Sequence, residues 1–221
     1  MKKLLIILFC LPLLFTTCKK EEEEPVYGCM IQAADNYNPS AAIDDGSCTG
    51  VCIGCTYQGG IIFYLDGNGG GLIAAPSDQG IAEWGCQYGV DLEVTGADGF
   101  VIGTGAQNTI DIVNANCSPN QSGMPIAANM CDTLTLGGYS DWFLPSAGEL
   151  YALYYVIGYG AVSNNLPNPS SSSSNNYWSS TEVNNLSAYE YNFSKIESVE
   201  VDIERIKYKS QFNSVRAVRA F

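Results

Sequence analysis

Residues 137–153, GGYSDWFLPSAGELYAL, constrain the local fold more tightly than any other stretch of this chain. Ser146 follows Pro145 and stands three residues ahead of Glu149, with Leu150, Leu153 and Tyr154 beyond it at helical spacing. That is a capping box: the serine hydroxyl accepts from the backbone N–H of Glu149, and the glutamate carboxylate reaches back to the N–H of Ser146. Two donors that a first helical turn leaves unpaired are satisfied together, so the pattern predicts a helix starting here. Pro145 stops the preceding segment, and Trp142 supplies apolar surface for the helix to close over. Asp141, Trp142 and Glu149 together have the look of a site, yet the glutamate already has a capping task.

The chain of 221 residues has room for one domain of ordinary size and a small module beside it. Hydrophobic residues make up 46%, and 14 Tyr with 23 Gly point to a globular, strand-rich and loop-rich protein rather than a disordered one. Lys plus Arg number 10 against 23 Asp plus Glu, a net charge of −13. Nucleic acid is excluded as a natural partner, because a phosphate backbone demands a basic face, and other polyanions are disfavoured for the same reason. Histidine is absent, which removes Ser-His-Asp and Cys-His nucleophiles and every imidazole zinc site.

Residues 1–17 carry Lys2 and Lys3, then an apolar run over 4–15, then two threonines before Cys18. The run is far shorter than the ~20 residues a spanning helix needs and reads as a signal peptide. Leu14 to Cys18, LFTTC, resembles a loosened bacterial lipobox, which implies cleavage before Cys18 and its lipidation, palmitate included. Ordinary cleavage nearby, with Cys18 a spare thiol, is the plainer alternative. Residues 18–28 then form an acidic tether. The run KKEEEE at 19–24 resembles signals that carry lipoproteins to the outer face of the Gram-negative outer membrane. The expectation is a bacterial, lipid-anchored, surface-exposed protein whose first partner is the bilayer; whether it sits on the inner or outer face is left open.

Residues 29–48 are framed by Cys29 and Cys48 and filled with Asp, Asn, Pro and Gly. The unit is too small for its own core, so a Cys29–Cys48 disulfide is expected in an oxidising compartment. Gly28, Cys29, Ala34, Asn36, Tyr37, Pro39, Ala41 and the DDGSC at 44–48 resemble short secreted modules akin to thrombospondin type 3 repeats. Asp35, Asn38, Asp44 and Asp45 are candidate calcium ligands, although their spacing is not that of an EF-hand. Asx-turns that cap the chain locally are the alternative. Cys52 and Cys55 form a C-x-x-C motif, but no βαβ pattern or histidine supports a redox or zinc reading. Setting aside Cys10 and Cys18, seven of nine cysteines remain, so at least one is unpaired or intermolecular.

From residue 59 onward the pattern is of strands and helices. GIIFYLD and GLIAAP flank the turn residues 67–70, a hairpin signal. Helical spacing appears over 108–117 and 124–136, with Pro125 in a first turn. These two helices are expected to bring Cys117 and Cys131 together as a disulfide; Cys86 then pairs with Cys52 or Cys55, or is the free thiol. Residues 164–176 read as a long exposed loop, a natural place for binding residues. YWSSTE at 177–182 precedes strands over 188–193, 199–203 and 215–221, an antiparallel end to the chain. Arg216 and Arg219 fall on opposite faces, and at least one is expected to pair with a carboxylate.

The order GGIIFYLD, WGC, GADG, IGTGAQNT, GGYSDWFLPSAGEL, YWSSTE and VRAVRAF resembles the C-terminal domain of collagen-like bacterial adhesins, the Lcl C-terminal domain family, over residues 55–221. The resemblance implies an α+β fold akin to C-type lectins and the formylglycine-generating enzyme, with antiparallel strands, two to three helices and many loops. It also implies adhesion to glycans at the cell surface. Tyr177, Trp178, Glu182 and Asn184 are the candidate ligand-binding residues, the rings stacking on sugar faces and the polar groups orienting them. Trp142, Pro145, Ser146 and Glu149 are expected to be structural. No catalytic residue is assigned and the chain is read as a non-enzyme. The alternatives are a structural envelope or matrix component, or a glycan-active enzyme using two of Glu149, Glu182, Asp141 and Asp98.

Overall fold

The computed structural model describes residues 24–30, 34–86, 95–117, 123–158, 175–193 and 204–221. The expected signal peptide at 1–17, lipidated Cys18, the loop over 164–174 and the strand at 199–203 lie outside the described residues, as do Ile31 and Gln32.

The described residues form an α+β fold of three helices and nine strands in two sheets. In the first sheet, β1 (Thr56–Tyr57), β2 (Gly60–Leu65), β3 (Gly71–Ala74) and β9 (Val218–Ala220) lie side by side in that order, all antiparallel. The β2–β3 hairpin forms as expected. Asp66 Oδ1 accepts from the N–H of Asn68 and of Gly70, an Asx-turn with Gly67 and Gly69 at φ +75° and +93°, where only glycine is comfortable.

The second sheet has the order β4 (Gly80–Glu83), β8 (Phe212–Val215), β5 (Asn176–Glu182), β6 (Ser187–Asn192) and β7 (Glu204–Tyr208). The expectation of a wholly antiparallel sheet is corrected, because β5 runs parallel to β8 through Tyr177 and Ser214. YWSSTE, preceded by Asn176, is itself the central strand β5. All six of its residues are buried, so no polar face alternates with an apolar one along it.

Two cores flank these sheets. Ile62 and Ile73 of the first sheet meet Trp178, Ala188 and Val215 of the second, beneath α1 (Gly105–Asn114) and α2 (Ala127–Asp132). Ile61, Phe63, Leu72 and Val218 face the other way and pack with Tyr177, Tyr191 and Phe193 against α3 (Ala147–Ile157). All three tryptophans are buried, and each indole N–H finds a carbonyl: Trp84 on Ser179 O at 2.8 Å, Trp178 on Ala82 O at 2.9 Å, Trp142 on Leu136 O at 3.3 Å. Trp142 lies in the core as expected, and burying a large aromatic contributes about 2–3 kcal/mol. Pro125, by contrast, precedes the helix, since Ile126 is the N-cap of α2.

The cysteines pair as Cys29–Cys48, Cys52–Cys55 and Cys86–Cys117, with Cα separations of 4.7, 5.3 and 4.7 Å. The expected Cys117–Cys131 bridge is corrected. Cys131 is free and fully buried among core residues of α2, where it acts as a small apolar side chain. Cys117 lies beyond the end of α1, past Asn116 at φ +52°, and there meets Cys86 after β4. The Cys-framed unit does not stand apart: Cys29 and Ala34 pack against Val51, Leu65 and Phe221.

Candidate functional site

The polar residues of the sequence motifs converge on one buried cluster, and Glu149 is its centre. The capping box forms as expected: Ser146 Oγ accepts from the Glu149 N–H at 3.2 Å, and Glu149 Oε2 accepts from the Ser146 N–H at 2.8 Å. The second carboxylate oxygen turns to another helix. Oε1 accepts from the backbone N–H groups of Gly103 at 2.8 Å and Gly105 at 3.5 Å. Gly105 opens α1, so one carboxylate joins two helix N-termini, where backbone donors and dipoles both favour an anion. No salt bridge reaches it among the described residues. Burial raises the Glu149 pKa above the ordinary glutamate value, opposed by these backbone hydrogen bonds.

Around this carboxylate the loop over 96–104 is held from behind by three elements. Asn108 of α1 clamps Gly99, accepting from its N–H at 3.0 Å and donating to its carbonyl at 2.6 Å. Thr181 of β5 donates to the same carbonyl at 2.8 Å and accepts from the Ala147 N–H of α3 at 2.9 Å. The Gly148 N–H donates to Phe100 O at 2.7 Å, and Ser146 Oγ donates to Val101 O at 3.0 Å. Asn108 and Thr181 were not singled out from the sequence. Their signal was small polar residues inside the otherwise apolar-flanked motifs IGTGAQNT and YWSSTE.

A second buried cluster joins Glu182 to Lys209. The two form a salt bridge with side chains 2% and 0% exposed, and Glu182 Oε2 also accepts from the Thr95 N–H at 2.8 Å. The Lys209 ammonium lies 4.4 Å from the Trp84 ring centroid. Burial lowers the Lys209 pKa, and Glu182 opposes that shift. Lys209 carried no sequence signal, being one lysine in a polar C-terminal strand region.

The expected ligand-binding residues are not gathered on an open surface. Tyr177 and Trp178 are 0% exposed, with the tyrosine hydroxyl on Asp78 Oδ2 at 3.0 Å and the indole on Ala82 O. Neither ring offers a face to a sugar in this fold, because β5 is central and covered on both sides. Glu182 is enclosed with Lys209. Asn184 alone is exposed, and its Oδ1 accepts from the Leu186 N–H at 2.9 Å within the β5–β6 turn. Both terminal arginines pair: Arg216 lies 2.9 Å from Asp78, in contact but not aligned as a hydrogen bond, and Arg219 meets Asp141 while lying over the Tyr139 ring.

The calcium candidates behave as turn residues. Asn38 Oδ1 accepts from Ser40 N–H, Asp44 Oδ1 from Gly46 N–H and Asp45 Oδ1 from Ser47 N–H, each two residues on. Among the described residues no three acidic, cysteine or histidine side chains gather as a metal site, and Asp35 faces Gly50 instead. Asn38, Asp44 and Asp45 thus each close an Asx-turn.

What lies open is the β7 side of one face of the second sheet, beyond α3, where Tyr191 and Ser187 of β6 are themselves buried. Cross-strand partners share a face, so Tyr189 stands with Ile206, Tyr191 with Glu204 and Ser187 with Tyr208. Phe100, from the clamped loop, packs edge-on against Tyr189 at 5.4 Å, and Tyr151 of α3 packs against Tyr191 at 6.2 Å and Tyr155 at 5.0 Å. Phe100, Tyr151, Tyr155, Ile206 and Tyr208 are 40–60% exposed. At one end, Ser187, Ile206, Lys207, Tyr208 and Gln211 line an open cleft of about 520 Å³.

The fold and these clusters define an α+β domain with a buried polar hub and an exposed aromatic face. No protein-family model matches the chain, and no curated protein sequence matches it. No described helix is long and apolar enough to cross a membrane.

Proposed function

We propose that this chain is a lipid-anchored surface lipoprotein of the bacterial outer membrane that acts as an adhesion module, binding glycan through the aromatic face. The C-type-lectin-like assignment and the Lcl-family membership belong to the same proposal, resting on the motif order. The observation that carries the reading is the exposure of Tyr208 in a cleft lined by hydroxyl, amide and ammonium groups, with Tyr151 and Tyr155 exposed toward the other end of the same strand pair. Tyrosine rings offer flat apolar faces to the C–H side of a sugar, while the cleft's polar rim suits its hydroxyls. The buried Tyr177 and Trp178 then serve the scaffold. A calcium-free mode is expected, since the Asp35 to Asp45 region fits turns.

A glycan array probed with the mature protein, with and without chelator, tests this. Binding that survives chelation and falls about tenfold or more in Tyr155→Ala and Tyr208→Ala, at unchanged melting temperature, is the expected result. Absence of binding to every glycan class would sink it. The second reading, a structural envelope component, draws on the aliphatic Val101 and Ile206 in the same exposed region, which suit a protein surface. Crosslinking on intact cells that captures one stable protein partner through this face would favour it.

A further inference from the structure

Between the Cys-framed unit and β1, Cys52 and Cys55 are bonded across the two residues Ile53 and Gly54. This disulfide differs from the other two in place and in task. Cys52 is exposed and Cys55 half-buried; Cys86 and Cys117 are both buried, at 0% and 8% exposed, and Cys48, itself half-buried, is bonded to Cys29 at 1%. Its sequence separation is 3, against 19 and 31. A bridge that closes so short a loop restricts the unfolded chain least, so it adds least as a structural staple.

We propose that Cys52–Cys55 is a reversible thiol-exchange site whose substrate is a dithiol reductant. The loop keeps its shape without the bond. Cys55 N–H donates to Cys52 O at 2.9 Å, Gly54 N–H to Ile62 O at 2.7 Å and Ile62 N–H to Cys55 O at 2.9 Å, with Gly54 at φ +88°. After reduction these backbone bonds hold the two thiols as neighbours, so re-oxidation is intramolecular and favoured. Access assigns the roles. A thiolate of the reductant attacks Cys52 Sγ, the sulfur–sulfur bond breaks, and its electron pair leaves on Cys55 Sγ, which takes a proton from water. The second thiol of the reductant, as thiolate, attacks the mixed disulfide; Cys52 leaves as thiolate and is protonated. The reductant is oxidised to its disulfide and the protein gains two thiols. Cys131 takes no part, since it is buried in the core and burial raises its thiol pKa.

The test is graded dithiothreitol on the oxidised mature protein, quenched by alkylation and read by peptide mass spectrometry. Cys52 and Cys55 are expected to open at about tenfold lower reductant than Cys86 and Cys117, with melting temperature retained, and to reclose with oxidised dithiothreitol. Cys55→Ser is expected to take a glutathione adduct at Cys52 from oxidised glutathione, and Cys52→Ser about tenfold less at Cys55. Opening of the pair only together with the buried bridges, or only in denaturant, overturns the proposal. Equal adduct yields on the two single-cysteine variants overturn the assignment of Cys52 as the attacked sulfur.

Discussion

Gly105 and Glu149 show how little freedom the buried hub leaves. A Cβ on Gly105 would stand 2.2 Å from Glu149 Oε2, 2.7 Å from Ser146 N and 3.0 Å from Leu144 O. Two of those neighbours are backbone and the third is a carboxylate already held by three N–H donors, so none can step aside cheaply. Gly105→Ala is therefore expected to cost about 2–3 kcal/mol, although alanine is the better helix former, and urea denaturation measures it. The Glu149 proton is a second handle. Burial raises its folded pKa, so the folded state binds the proton more tightly than the unfolded chain does. That contribution is present at and below the ordinary glutamate value of about 4.3 and is lost as pH rises through the folded value. Wild type should consequently gain on Glu149→Gln as pH falls from neutral toward the ordinary glutamate value, measured as the difference in their unfolding free energies. A difference that moves the other way would mean that the backbone donors outweigh desolvation.

At the level of elements, the parts legible in the sequence are those whose determinants are local. The capping box needs only Ser146 and Glu149 three residues apart, and the β2–β3 turn needs only Asp66 and the glycines after it. The turn chemistry of Asn38, Asp44 and Asp45 is local too, but spacing does not separate it from calcium ligation, because one oxygen can serve either. β5 was not legible as a central strand. Its burial on both faces erases the alternation that marks a half-exposed strand, and Tyr177 and Trp178 then resemble exposed binding rings as readily as core pillars. Lys209 lay beyond reach for a different reason: it sits in a turn, and its partner, Glu182, is 27 residues away on β5. That pair ties β5 to the turn after β7, and a double-mutant cycle tests it. Lys209→Met or Glu182→Gln alone should cost about 3–5 kcal/mol by stranding a buried charge, while the double variant recovers most of the loss. Equal, additive losses would show that the two groups act independently.

Across the whole molecule, residues far apart in the chain are brought to one place by the second sheet and the two helices that meet it. Gly99 and Gly103, Asn108, Ser146 and Glu149, and Thr181 come from four separate motifs, and they form one network. The disulfides illustrate the same limit on sequence reading. Cys29–Cys48 could be read because its loop is short and self-contained, but Cys86–Cys117 depends on β4 and α1 ending side by side, which no spacing reveals. The resulting division of labour puts conformational rigidity in the motif residues and leaves the side chains of Phe100, Tyr151, Tyr155 and Tyr208 to face outward on a stiff backbone. Native-state hydrogen exchange of the Gly103, Ser146 and Gly148 amides tests that central claim most directly. In wild type they should exchange only through global unfolding, and in Glu149→Gln the Gly103 and Ser146 amides should exchange at least about tenfold faster while Gly148, bonded to Phe100 O, changes less. Fast exchange of Gly103 and Ser146 in wild type, as in an ordinary surface loop, would contradict the account.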